Sequence, residues 1–168
     1  MSIINKISLE YDSNNNIIYY NDSKTEYWKS YDNNNNLVYY KSSDIELWNE
    51  YDSNNNLIHS KYSNGYESWM EYDSSNNLIH CKNSNGYESW MEYDNNGNCI
   101  HSKNNKGREE WVKYRGKRMT HYSNSTGYKE LYRYDINGLN FYKNSNGYEY
   151  RKEVVNGKVC STIINSEE

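Results

Sequence analysis

Among 168 residues the sequence has no proline, no alanine, no glutamine and a single phenylalanine, and only three cysteines. Ala and Gln are good helix formers, whereas the abundant Asn and Ser (30 and 21 residues) compete with helix backbone, so a helical bundle is excluded as the expectation. Cys81, Cys99 and Cys160 are odd in number and follow no Cys-x-x-Cys spacing, which argues against a disulfide frame or a zinc site and for free thiols. No stretch approaches the roughly 20 apolar residues of a membrane span, and the start of the chain lacks the apolar run of a signal peptide. The expected location is the cytoplasm. Positive charge is not in excess: 19 Lys and Arg face 23 Asp and Glu, net -4, which disfavours a general nucleic-acid binder driven by phosphate neutralisation.

What is present is tyrosine, 21 residues of it, within an aromatic content of 16%. A mean hydropathy of -1.26 would suit a disordered chain, but aromatics this frequent and this regular point to a folded one rich in strand. Tyr-Asp recurs at Tyr11, Tyr31, Tyr51, Tyr72, Tyr93 and Tyr134, with Tyr114-Arg115 in the remaining place, a period of 20 or 21 residues. The expected organisation is one domain over residues 1–168: a cap strand in 1–10, seven repeats in 11–153, and a cap hairpin around Asn156-Gly157 with a tail in 154–168.

The spacing resembles the YD repeat of RHS and teneurin-type proteins, in which Tyr-Asp is followed by a turn Gly, an aliphatic residue and a second Gly. Tyr51-Asp52, Leu57 and Gly65 match it, as do Tyr72-Asp73, Leu78 and Gly86. Gly97 and Gly138 keep the turn glycine, while Asn15, Asn35, Asn55 and Asn76 replace it. The resemblance covers roughly residues 11 to 153. It implies a wall of β-repeats, and through some relatives carbohydrate binding. The large shell that relatives build around a toxin is not carried over, because seven units are expected to be too few.

Each unit contains two short strands separated by turns. Ser63-Asn64-Gly65 suits a three-residue hairpin loop with left-handed Gly, which pairs Tyr62 with Tyr66, Lys61 with Glu67 and His59 with Trp69. Asp73 to Asn76 suits a four-residue loop with left-handed Asn76, which pairs Tyr72 with Asn77 and therefore Trp69 with His80. The predicted fold is all-β: tandem hairpins forming one continuous antiparallel meander of about fifteen strands, twisted or curled.

Followed strand by strand, this register draws one unbroken row: Tyr19, Trp28, Tyr39, Trp48, His59, Trp69, His80, Trp90, His101, Trp111 and His121. The opposite face carries Ile58, Met70, Ile79, Met91, Ile100 and Val112 beside small residues, and is expected to be the more buried, by curling or by a second copy of the chain. The row from Trp48 to His121 is the first candidate site, since flat π-faces stack on sugars, bases or a partner's side chains. The same row could instead only brace the sheet. A metal is not expected, because successive histidines would stand about 9.5 Å apart.

Lys106, Arg108, Lys113, Arg115, Lys117 and Arg118 break the repeat with positive charge and, with Trp111, form a second candidate site for RNA or an acidic protein surface. Carboxylates recur with the repeat and none forms a unique constellation with a nucleophile, so neither catalysis nor a cofactor is expected. The leading reading is a non-catalytic β-repeat module that occupies a macromolecular partner, most readily a protein, as an intracellular inhibitor or immunity-type protein would. An RNA-binding strip, a carbohydrate-binding repeat and a self-assembling subunit joined through the Ile/Met/Ser face stand as alternatives.

Overall fold

A computed structural model describes residues 7–155 and 158–164. They form sixteen strands and no helix: β1 (Ser8–Tyr11), β2 (Ile17–Asn21), β3 (Glu26–Tyr31), β4 (Leu37–Ser42), β5 (Glu46–Tyr51), β6 (Leu57–Tyr62), β7 (Glu67–Tyr72), β8 (Leu78–Asn83), β9 (Glu88–Tyr93), β10 (Cys99–Asn104), β11 (Glu109–Arg115), β12 (Arg118–Asn124), β13 (Lys129–Asp135), β14 (Gly138–Asn144), β15 (Glu149–Val155) and β16 (Lys158–Ile164). The strands follow one another in sequence order as a single antiparallel meander, the predicted fold class. By internal contacts the chain divides into two compact units, Met1–Glu88 and Ser89–Glu168. Strands β15 and β16 pair as the expected C-terminal hairpin, whose Asn156-Gly157 turn lies outside the described residues, as does most of the N-terminal cap segment.

Both kinds of turn are built alike. At Ser63-Asn64-Gly65 the Tyr62 amide donates to the Tyr66 carbonyl at 2.8 Å and the Gly65 amide to the Tyr62 carbonyl at 2.9 Å, with Gly65 at φ 85°. At the Tyr-Asp turn the Asp73 amide donates to the Asn77 carbonyl at 2.9 Å and the Asn76 amide to the Asp73 carbonyl at 3.0 Å, with Asn76 at φ 62°. The left-handed Asn is as predicted, but the loop has three residues, not four. In the first two repeats the Ser23-Lys24 and Ser43-Asp44 loops shorten to two, as their length requires.

A three-residue loop alone would set Glu71 opposite Ile79 and so turn Trp69 and His80 to opposite faces. The strand corrects this with a β-bulge: Tyr72 pairs with Leu78, but Glu71 pairs with His80, leaving Ile79 as the extra residue. The same bulge follows the turn in each repeat, with Ile18, Val38, Ile58, Ile100, Thr120 and Asn140 in the place of Ile79. Faces are thereby kept, and the register shifts by two residues from the one predicted. Trp69 stands opposite Lys82 rather than His80.

The Tyr-Asp signature has a separate job for each residue. Asp52 Oδ1 accepts the backbone amides of Asn54 (2.8 Å) and Asn56 (2.9 Å), and its Oδ2 accepts the Asn56 side-chain amide at 3.0 Å, which closes the loop. These bonds to the charged form hold the Asp52 carboxyl below its usual value, and Asp12, Asp32, Asp73 and Asp94 behave alike. The tyrosine reaches back a full repeat: Tyr72 Oη donates to the Leu57 carbonyl at 3.0 Å and Tyr51 Oη to that of Leu37 at 3.2 Å. In the first unit the turns are also linked sideways, Asn16 to Asn35, Asn36 to Asn55 and Asn56 to Asn76. At the other edge Ser84 Oγ accepts the Glu67 amide at 2.9 Å and donates to the Gly65 carbonyl.

Among the described residues no apolar side chain is buried; the buried residues are Ser60, Asn98 and Glu149. Strands β3, β5 and β7 alternate, with Trp28, Trp48 and Trp69 on the exposed side and Tyr31, Tyr51, Met70 and Tyr72 on the half-buried side. Strand ladders, cross-strand rings and the two edges of linked turns therefore carry the stability that a core would otherwise supply.

Candidate functional site

The two-residue shift breaks the predicted continuous aromatic row into short lines across four strands. In the first unit these read Glu10–Tyr19–Trp28–Lys41, Ser30–Tyr39–Trp48–Lys61 and Glu50–His59–Trp69–Lys82. In the second, Trp90 stands opposite Lys103, and the next line is Glu92–His101–Trp111–Ser123. Each of these four lines passes through two rings; three start from a glutamate and three end at a lysine. The predicted pairing within hairpins holds, whereas indoles do not flank both sides of a histidine. His59 stacks on Trp69 with centroids 5.4 Å apart and planes at 12°, and His101 on Trp111 at 5.5 Å and 10°.

The other neighbours of the histidines are carboxylates. His59 has Glu50 at 3.3 Å from Nδ1 and Glu67 at 3.2 Å from Nε2. His80 has Glu71 at 3.2 Å and Glu88 at 2.9 Å, and His101 has Glu92 at 3.1 Å and Glu109 at 2.8 Å. For His101 the bonds to Glu109 and Glu92 raise the imidazole above its ordinary value against a smaller burial effect. For His80 burial opposes the charge, but Glu71 and Glu88 together outweigh it and the net direction is again upward. Lys61 adds a bond of 3.1 Å to Glu67, whose carboxyl is held low by Lys61 and His59. In each clamp an imidazole lies between two carboxylates, and among the described residues no cluster of His, Cys, Asp and Glu could hold a metal ion.

The structure separates the predicted basic cluster. Arg108 bonds Glu110 through Nη2 at 2.7 Å and Nε at 3.1 Å, and Glu110 also accepts Tyr122 Oη at 2.6 Å, on the face opposite Trp111. The Lys117 ammonium caps the Asn96 carbonyl, and Lys106 stands in the Asn104–Arg108 loop. Lys113, Arg115 and Arg118 share one face with His121, since Lys113 pairs with His121 and Arg115 with Arg118. Arg118 lies 5.3 Å from the Tyr134 ring and donates to the Asp135 carbonyl at 3.1 Å.

Two basic residues that the sequence reading passed over complete this face. Lys129 takes the place that Glu67 and Glu109 hold in earlier repeats, and Arg133 starts the line Arg133–Phe141–Arg151. Aligning the repeats on the bulged residue would have exposed both. A concavity of about 1100 Å³ is lined by Arg115, Arg118, His121, Arg133, Tyr134 and Ile136 among others, and a second of about 460 Å³ by Lys113, His121, Lys129 and Lys143 among others. Charge follows the same division: Met1–Glu88 holds 6 Lys against 13 Asp and Glu, net -7, whereas Ser89–Glu168 holds 13 Lys and Arg against 10, net +3. Cys81, Cys99 and Cys160 are free thiols, and burial pushes the Cys99 thiol up, away from thiolate chemistry.

No family model and no curated protein matches the chain. Solved structures do. A chain of the Photorhabdus luminescens Tc holotoxin pore superposes with a TM-score of 0.69 at 16% identity, covering 94% of this chain. Chains of the TcdB2-TccC3-Cdc42 and TcdB2-TccC3 crystal structures superpose with TM-scores of 0.69 and 0.68 at 16% identity, covering 97% of this chain in each case. This chain spans about a tenth of the length of those chains. What they share with it is the fold, an RHS-like meander of β-hairpin repeats.

Proposed function

We propose that the chain is a non-catalytic β-repeat binding module of the YD-repeat kind that acts by occupying a protein partner, as an intracellular inhibitor or immunity-type protein does. The observation that carries this reading is the state of the indoles. Trp28, Trp48, Trp69 and Trp111 are 38–42% exposed, although among the described residues no apolar side chain is buried. Aromatic area left in water costs stability that this coreless sheet has little means to offset, and Trp is the residue that most often anchors protein interfaces. The glutamate, serine and lysine residues that end these lines give such a surface a polar rim. Repeats of this fold also occur in the multi-protein TcdB2-TccC3 structures.

The test is recovery of the partner from the native cell with the intact protein and with Trp69→Ser and Trp90→Ser together. Loss of the partner with unchanged β circular dichroism supports the reading. A partner retained by the double variant, or binding on a glycan array with no protein recovered, overturns it in favour of a bracing role or of carbohydrate binding.

A further inference from the structure

We propose that the strip centred on His121 is a binding site for a compact polyanion of the phosphate or sulfate class, independent of the indole surface. It arises by charge inversion of a motif the chain repeats. His59, His80 and His101 each lie between two glutamates, one on either neighbouring strand. At His121 both are exchanged: Lys113 pairs with it where Glu92 pairs with His101, and Lys129 stands where Glu109 stood. Two like charges have thus replaced two opposite ones around the same ring. Between exposed side chains the repulsion is modest in water, and a bound anion would convert it into attraction.

The cations are also unspent. Among the described residues the side chains of Lys113, Arg115 and Lys129 have no carboxylate partner, and His121 is engaged only at Nδ1, by Thr120 Oγ1 at 3.1 Å. Arg133 lies over the Phe141 ring at 5.0 Å, which orients its guanidinium without neutralising it. Two concavities that share His121 and Leu131 join these residues.

The extent of the strip selects the ligand. On one side Glu92 and Glu109 are held by His101; on the other Glu149 is paired with Lys143 at 3.3 Å and with Arg151. The surface between these carboxylates spans about three strand spacings, roughly 15 Å, and cations outnumber the two acids, Asp135 and Glu130, that line its concavities. That suits a few clustered oxyanion groups rather than a long phosphodiester track. Lysine ammoniums and arginine forks together match phosphate and sulfate oxygens.

The experiment is calorimetric titration of the full chain with inorganic tripolyphosphate at low ionic strength, with sulfate and a uridine decamer as parallel probes. Saturable 1:1 binding of tripolyphosphate is expected, weakening as salt rises. Lys113→Glu with Lys129→Glu, which restores the pattern of the preceding repeats, should reduce affinity at least tenfold, and the milder Lys113→Gln with Lys129→Gln should also weaken it. Lys24→Glu with Lys158→Glu, an equal change in net charge elsewhere, should leave it unchanged. Absence of saturable binding, equal loss in the control pair, or binding of the decamer alone would overturn the proposal, the last in favour of an RNA strip. Because no indole is changed, the outcome is separable from that of the partner experiment.

Discussion

The histidines show how much one residue's chemistry depends on its neighbours. His101 is raised because Glu109 and then Glu92 bond its ring nitrogens, and His80 because Glu71 and Glu88 overcome the opposing effect of burial. A folded-state value above the unfolded one, about 6.5, means that the contribution to stability is complete below that pH and is lost as pH rises through the folded values. Urea midpoints should therefore be higher near pH 6 than near pH 8, and His80→Gln with His101→Gln should flatten the difference. Equal midpoints in the parent protein, or a higher one at pH 8, would contradict the clamp. The direction could be read from the sequence, where glutamates flank each histidine in the repeat. Which glutamates touch which ring could not, since that depends on the bulge. At His121 the same scaffold holds lysines.

At the scale of the strand pair, the bulge is the unit that sequence patterning misses. Alternation of Trp, Glu and Lys against Ser and Met was enough to separate the two faces, and Asn76 was enough to mark a left-handed turn residue. A four-residue loop and a three-residue loop followed by a bulge leave the same side chains on the same face. Pattern alone therefore could not choose between them, and the alignment of neighbouring repeats came out two residues off. The bulge also explains an irregularity among the repeats. Ile58, Ile79 and Ile100 fill the extra position with an aliphatic group, and Thr120 fills it while donating to the Lys113 carbonyl at 3.0 Å. Asn140 places a buried Oδ1 there, without a hydrogen-bond partner among the described residues. Since an unsatisfied buried polar group costs about 1–3 kcal/mol, Asn140→Ile should stabilise the fold by roughly 1 kcal/mol. A denaturant midpoint that falls in this variant would show that the amide has a partner or a role.

For the molecule as a whole, the missing feature is a dry interior. A chain of 168 residues would ordinarily unfold with a heat-capacity increment of about 2.0–2.5 kcal/mol/K, most of it from newly exposed apolar surface. Since no apolar side chain among the described residues is buried, calorimetry should find an increment well below about 2 kcal/mol/K. An ordinary value would mean that the apolar face is covered in solution, for example by a second copy. Within each unit the bulges have a geometric consequence as well. Each hairpin steps two residues, about 6.7 Å, along its neighbour while moving two strands, about 9.6 Å, across the sheet. Successive ring pairs such as Tyr39/Trp48 and His59/Trp69 are therefore spaced at a pitch of about 12 Å on a diagonal inclined about 35° to the line perpendicular to the strands. The sheet is in effect a slanted ruler: a partner that engages two consecutive pairs must carry its own contacts at that interval and cross the strands obliquely.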